Sequence, residues 1–225
     1  MGLKINSSQD VVLVGHYRSG SSWFQSCLPQ FNCRAPFHAA VRLVLSTDIE
    51  TNTIHFKKFS WTDDLEIRKN RILESIKIID AISIPKSVKI QVNQFQETSV
   101  EWAKKQDAQF IWLERKDKIK AFRSMLIADT LGIWEGKIPV KSLKINTNKV
   151  KRAYETIFVR DAYNQIREDL NKEFQEVFYE DLLIDHTFDT SKSKIINQNS
   201  SNVEIENVNE INQILEELKS NAFLT

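Results

Sequence analysis

The chain has 225 residues, 41% hydrophobic and 27% charged, the composition of an ordinary soluble globular protein with room for a sizeable core. Lys plus Arg number 31 and Asp plus Glu 30, a net charge of +1, which excludes a global field for nucleic acid or an anionic membrane and requires any anion site to be local. No stretch approaches about 18 uninterrupted apolar residues, which excludes a membrane span.

Residues 1–10, "MGLKINSSQD", read as an N-terminal tail. They lack the apolar centre of a secretory signal. Gly2 is followed by Asn6 where a myristoylation signal wants Ser or Thr. "VVLVG" (11–15) is a continuous apolar run ending in glycine, the pattern of a strand buried on both faces. "SSWFQSCLPQF" opens a helix with Trp23, Phe24, Cys27 and Leu28 on one face, and Pro29 ends or kinks it. Residues 34–62 are irregular, with a short strand or hairpin arm at 53–59. Asp63 to Ser83 is helical, on the spacing of Leu65, Ile72, Leu73, Ile76, Ile79 and Ile82, and Pro85 lies beyond its end.

"SVKIQVNQF" (87–95) alternates like a strand, and "AQFIWLER" (108–115) is another. Residues 116–134 form a helix with Ile119, Phe122, Leu126 and Ile127 inward. A long helix spans 148–172, carried by Val150, Tyr154, Ile157, Phe158, Ile166 and Leu170. "EVFYEDLL" (176–183) is a strand running into a helical turn. Residues 185–206 are a polar loop, and 207–218 a closing helix with Asn207 and Glu210 at capping-box spacing. No repeat or linker divides residues 1–225, which read as a single domain. Strands alternating with helices predict an α/β fold of three layers, with a central, mainly parallel sheet flanked by helices. Two cysteines, Cys27 and Cys33, fit a reduced, cytoplasmic protein. Four scattered histidines (His16, His38, His55, His186) make no metal-ligand spacing, so no metal site is expected.

The chemistry concentrates in "GHYRSGSS" (15–22). The phosphate-binding loop of nucleotide enzymes reads G-x-x-x-x-G-K-[ST]. Gly15, Gly20 and Ser22 fit it. Position 21 is Ser21 instead of lysine, and Arg18 stands inside the loop. A strand, a glycine turn and a helix start still make an anion site, with amides from Ser19, Gly20, Ser21, Ser22 and Trp23. Without the lysine, a triphosphate loses its main charge partner. No convincing metal-binding aspartate ends an apolar strand, and Asp117 is the nearest candidate. A donor with one 5′-phosphate joined to a sulfuryl group needs less: a cradle for the phosphate and a cation, Arg18, near the bridging oxygen.

"VGHYRSGSSWF" resembles the 5′-phosphosulfate loop of sulfotransferases, G-x-P-R-S-G-[ST]-[ST], with Tyr17 at the usual proline. In that family a strand-end arginine and a serine on the next helix hold the donor's 3′-phosphate. "WLERKDKIKAFRS" offers Arg115 and Ser124, with Lys116 and Arg123 as competing cations. "ERKDKIKAFRSMLIADTLGIW" is similar to the helix of the bacterial trehalose-type branch at Asp117, Ser124, Gly132 and Trp134, while Ala121 and Phe122 depart from its Q-A pair. "FYEDLL" (178–183) matches a late family phrase whose role is structural. The tail "IENVNEINQIL" also resembles that branch. The resemblance spans 11–218 in islands and implies a P-loop-type fold and the donor 3′-phosphoadenosine 5′-phosphosulfate (PAPS), with adenosine 3′,5′-bisphosphate (PAP) as product.

Transfer to an alcohol benefits from a base. Many sulfotransferases carry a histidine after the second core strand, but "KIQVNQFQ" (89–96) offers Lys89, Asn93 and Gln94, and no carboxylate before Glu97. The bacterial branch has a glutamate shortly after the first helix. "CRAPFHAA" (33–40) places His38 close to it, with His55 the other candidate and a loop histidine of no catalytic role the alternative. The acceptor stays open between a small molecule, a glycan, a lipid and a peptide, with residues 34–62 and those after Trp134 as candidate pocket walls. Phe37, Phe56, Phe59 and Trp61 give that region an apolar character or belong to the core. Two other readings stay open: a nucleotide kinase or ATPase with a degenerate loop, and a non-catalytic domain that binds a nucleotide and a partner.

Overall fold

The computed structural model describes residues 3–16, 18–33, 42–60, 62–91, 97–133, 138–159, 161–184 and 202–222. At its centre is a parallel sheet of five strands. These are β1 (Asp10–Gly15), β2 (Phe31–Cys33), β5 (Lys86–Gln91), β6 (Ala108–Glu114) and β8 (Phe174–Phe178), in the spatial order β2-β5-β1-β6-β8. Strand β1 lies between β5 and β6, with Val11 opposite both Ser87 and Gln109. After β1 the chain builds one side of the sheet, β2 and β5, and then crosses to build the other, β6 and β8. That reversal opens a crevice at the carboxyl end of β1, where ligands bind in open α/β sheets.

The two faces of "VVLVG" sort by the two-residue period of a strand. Val12 and Val14 join Val88, Ile90, Phe110 and Trp112 on one face. They are covered by α2 (Leu65–Asp80), α3 (Glu97–Lys105) and α6 (Asp161–Leu170) through Ile72, Ile76, Ile79, Trp102, Ile166 and Leu170. Val11 and Leu13 join Ile111, Leu113 and Val177 on the other. There α1 (Ser21–Cys27) and α7 (Tyr179–Ile184) supply Trp23, Phe24, Cys27 and Leu182. A third apolar cluster joins α4 (Lys118–Leu131), α5 (Val150–Phe158) and α8 (Val208–Ala222) through Phe122, Leu126, Ile127, Ile157 and Ile211. The expected α/β architecture with a parallel sheet flanked by helices is therefore present.

Local chemistry explains the element ends. Asp64 caps α2, its side chain accepting the N–H groups of Glu66 and Ile67 at 3.0 and 3.1 Å, a cap worth about 1 kcal/mol. Gly132, at φ 69, closes α4 in the left-handed region, so this helix ends at Leu131, short of its predicted end.

Several expectations need correction. The predicted helix over 148–172 is two helices, α5 and α6, because Val159 takes extended backbone (φ −80, ψ 118). The region expected to be irregular contains β3 (Arg42–Asp48), antiparallel to β4 (Thr53–Lys58), a hairpin that confirms the arm at 53–59 and supplies its partner. Its Val44 N–H donates to Ser75 Oγ on α2 at 3.2 Å. Strand β2 and helix α3 have no counterpart in the predicted elements. Within the expected polar loop, β9 (Glu204–Ile205) pairs in parallel with β7 (Ser142–Leu143); residues 185–201 lie outside the described residues. The N-terminal tail is tied down, with Leu3 and Ile5 packed on the core and Gln30 Nε2 donating to the carbonyls of Asn6 and Gln9. Ile119 and Leu65, expected inward, are 61% and 70% exposed. Among the described residues no helix is long and apolar enough to cross a membrane.

Candidate functional site

The turn between β1 and α1 is built from backbone first. Arg18 stands at φ 60 and Gly20 at φ 81, both left-handed. Gly20 is the N-cap of α1 and brings no side chain to it. The first-turn N–H groups, those of Ser21, Ser22 and Trp23, are the ones a helix leaves without intrahelical partners. Ser19 turns its hydroxyl back to donate to the His16 carbonyl at 2.8 Å. A side chain at position 20 would force the turn or the Tyr179 ring to shift, since a Cβ there would lie 2.2 Å from that ring. Gly15 is nearly as constrained, since its Cβ would meet Ser19 Oγ at 3.0 Å.

Three cationic side chains converge on this turn from different elements. Arg18 Nε donates to Ser124 Oγ on α4 at 2.8 Å. Arg115, just past the end of β6, donates from Nη1 to the Arg18 carbonyl at 3.0 Å. The two segments expected to hold the two ends of a nucleotide therefore meet in one cluster. The competing cations are directed elsewhere. Lys116 pairs with Asp181, and Arg123 donates from Nη2 to the Val203 carbonyl. Arg115 is thus the strand-end cation that faces the loop.

The third cation is Lys89, which sequence reasoning did not place in the site. It stands on β5, only 6% exposed, and its Nζ donates to Ser22 Oγ at 2.6 Å. Val88 and Ile90 face one core cluster, so Ser87, Lys89 and Gln91 point to the α1 side of the sheet. There Gln25 of α1 donates from Nε2 to the Ser87 carbonyl at 2.8 Å and to its hydroxyl at 3.1 Å. β5 is an inner strand buried on both faces, where an apolar run is usual, so its polar row is marked out by the structure. An ammonium, absent from position 21, reaches the start of α1 from the neighbouring strand.

A narrow cavity lies beside the cluster, lined by His16, Ser19, Glu114, Arg115, Lys118, Ala121 and Ile157. Asp117 caps α4 by accepting the Lys120 N–H at 2.9 Å. That hydrogen bond is the main reason its carboxyl is held below the usual aspartate range. Asp117 is therefore committed to its helix and to Lys120. Ser124, 4% exposed, is carried two turns into α4, with Phe122, Leu126 and Ile127 anchoring the helix behind it.

The remaining expected residues separate from this group. Trp23 contributes its ring to the core, edge-on to Tyr179 at 5.5 Å. His38, together with Phe37, Asn93, Gln94, Trp134 and His186, lies outside the described residues. His55 is exposed on β4 opposite Ser46, and Glu97 is exposed at the start of α3. Among the described residues, no group of three or more His, Cys, Asp or Glu side chains is arranged to hold a metal ion. Both cysteines are buried thiols outside any disulfide. In comparisons with known proteins, no family model, no curated protein and no solved structure matches the chain.

Proposed function

We propose that the chain is a P-loop-type sulfotransferase that moves a sulfuryl group from PAPS to a hydroxyl or amine acceptor. The observation that carries the reading is the Arg115–Arg18–Ser124 cluster, in which one loop arginine ties together the residues expected at the donor's two phosphates. In the reaction, the acceptor oxygen or nitrogen bonds to sulfur. The bond from sulfur to the phosphate oxygen breaks, and PAP leaves with that oxygen's electron pair. Arg18 and the loop amides stabilise the charge that develops on the departing oxygen. Arg115 and Ser124 hold the 3′-phosphate. His38 takes the acceptor's proton.

Lys89 supports the reading against a magnesium-dependent triphosphate enzyme. In ATP and GTP loops the serine or threonine at the helix start helps to hold magnesium. Here the equivalent Ser22 hydroxyl receives an ammonium instead. The site supplies its positive charge from side chains: Arg18, Lys89 and Arg115.

Titration with PAP and with ATP, with and without magnesium, tests the proposal. PAP is expected to bind tightly without magnesium and ATP weakly under either condition. Turnover of labelled PAPS with a panel of alcohols and amines then separates an enzyme from a binding domain. Tighter binding of ATP than of PAP, dependent on magnesium, would overturn the assignment.

A further inference from the structure

We infer that Tyr179 and Glu180 are positioning residues of the candidate site, with Tyr179 fixing the loop and Glu180 fixing the direction of Arg115. The ligand in this inference rests on the proposed donor; the geometry does not.

The two residues stand where β8 passes directly into α7. Tyr179 is 7% exposed, and three contacts of its ring bear on the site. It packs edge-on to Trp23 at 5.5 Å. It fills the space that a side chain at position 20 would take. It also lies 5.0 Å from the Arg115 guanidinium carbon, at cation–π distance. One ring thus sets the spacing between the glycine turn and the strand-end arginine.

Glu180 acts on the same arginine from behind. Its Oε2 accepts the Lys116 N–H at 2.9 Å, and its Oε1 accepts the Asp117 N–H at 3.2 Å. Oε1 also lies 3.4 Å from Arg115 Nε. That contact is an ion pair without an aligned hydrogen bond, because Nε is buried with no acceptor in line among the described residues. The carboxylate therefore holds both the turn after β6 and the Nε edge of the guanidinium. Nη1 is engaged by the Arg18 carbonyl. The remaining N–H groups of Nη1 and Nη2 make the fork that would meet a phosphate. In Glu180→Gln one oxygen remains, so only one of the Lys116 and Asp117 N–H groups keeps its acceptor, and the charge opposite Arg115 is gone.

The test combines Glu180→Gln with two readouts. The first is hydrogen exchange of the Arg115 Nε–H, measured against the backbone amides of β6. In Glu180→Gln it is expected to accelerate about tenfold while the β6 amides stay protected. The second is the pair of dissociation constants for PAP and for adenosine 5′-phosphate. PAP should weaken about tenfold, and adenosine 5′-phosphate by less than about twofold. Glu180→Asp, which keeps the charge one methylene shorter, should give an intermediate loss. Tyr179→Leu should weaken both ligands, and Tyr179→Phe should restore them.

Unchanged Nε–H exchange in Glu180→Gln overturns the inference, whatever the protein binds. Equal weakening of both nucleotides also overturns it, since Glu180 would then act on the fold as a whole. Accelerated exchange in a protein that binds neither nucleotide would leave the positioning role standing and sink the proposed donor instead.

Discussion

Arg18 and Ser124 are 106 positions apart in sequence, and their side chains meet at 2.8 Å. The hydrogen bond runs from Arg18 Nε to the serine hydroxyl. Arg18→Ala is expected to lower turnover by two to four orders of magnitude, roughly 3–5 kcal/mol, with a smaller loss in PAP binding. Arg18→Gly separates side chain from backbone. It should lose the same turnover yet be more stable than Arg18→Ala by about 1 kcal/mol, because φ 60 suits glycine. Unchanged turnover in either folded variant removes Arg18 from the mechanism.

Arg115→Ala and Ser124→Ala should weaken PAP selectively. Loss of a charged hydrogen bond costs about 1.5–3 kcal/mol, and the serine's share is smaller. Adenosine 5′-phosphate, which lacks the 3′-phosphate, is the control and should bind both variants nearly as well as wild type. Isothermal titration of the two nucleotides against each variant reads the difference directly. Equal losses would mean that neither residue reads the 3′-phosphate.

The loop arginine, the strand-end arginine and the helix serine were legible because each sits at a fixed offset from a strand end or a helix start. Lys89 was not. "SVKIQV" alternates as a half-exposed strand does, and alternation alone does not reveal that its polar side lies under α1 instead of in water. Tyr179 and Glu180 were visible as a phrase but not as a contact, because their partners, Gly20 and Arg115, are brought to them only by the sheet order. Arg42–Asp48 escaped for a related reason. Its strand character depends on pairing with 53–58 and on packing against α2, with a bulge between Val44 and Ser46 interrupting the alternation. The break between α5 and α6 was hidden because apolar spacing continues on both sides of Val159.

Lys89→Met should separate binding from stability. The methionine keeps the length and apolar stem of the side chain and removes its charge. Affinity for PAP and for adenosine 5′-phosphate should fall together, by about tenfold or more, if Lys89, through Ser22, serves the 5′ subsite we propose. Thermal stability should hold or rise, since a buried ammonium is costly to desolvate. A fall in stability with unchanged affinity would make Lys89 structural.

Gly20→Ala tests the loop backbone. It combines a φ of 81 with a Cβ 2.2 Å from the Tyr179 ring. A loss of about 2–4 kcal/mol in chemical denaturation is expected, with nucleotide binding impaired in the folded fraction. Wild-type stability would mean that the turn relaxes without cost.

Cys33 gives a pH prediction of definite sign. Burial pushes its thiol from 9.0 up to about 12, outweighing the opposing charge of Lys86. Below 9 the folded and unfolded chains both hold the proton, so Cys33 adds no pH dependence. Above 9 the unfolded chain releases a proton that the folded protein keeps, and stability falls as pH rises toward about 12. At pH 8 a thiol reagent should leave Cys33 unmodified in the native protein and label it on unfolding. Rapid native labelling of Cys33 would contradict its burial.

The central place of β1 carries a consequence for how the protein is made. Its run of valine and leucine precedes both of its partners in the chain. Val11 cannot be paired until Ser87 has been synthesised on one side and Gln109 on the other. At ribosomal speeds of about 5–20 residues per second, that leaves the most apolar strand with open edges for roughly 5–20 s. During that interval the turn between β1 and α1 also lacks Arg115 and Ser124. The nascent protein therefore passes through a stage in which the cluster around Arg18 does not exist and its first strand can recruit a foreign edge. Holding that strand apart until β5 and β6 emerge is the step at which a chaperone would have most effect on yield.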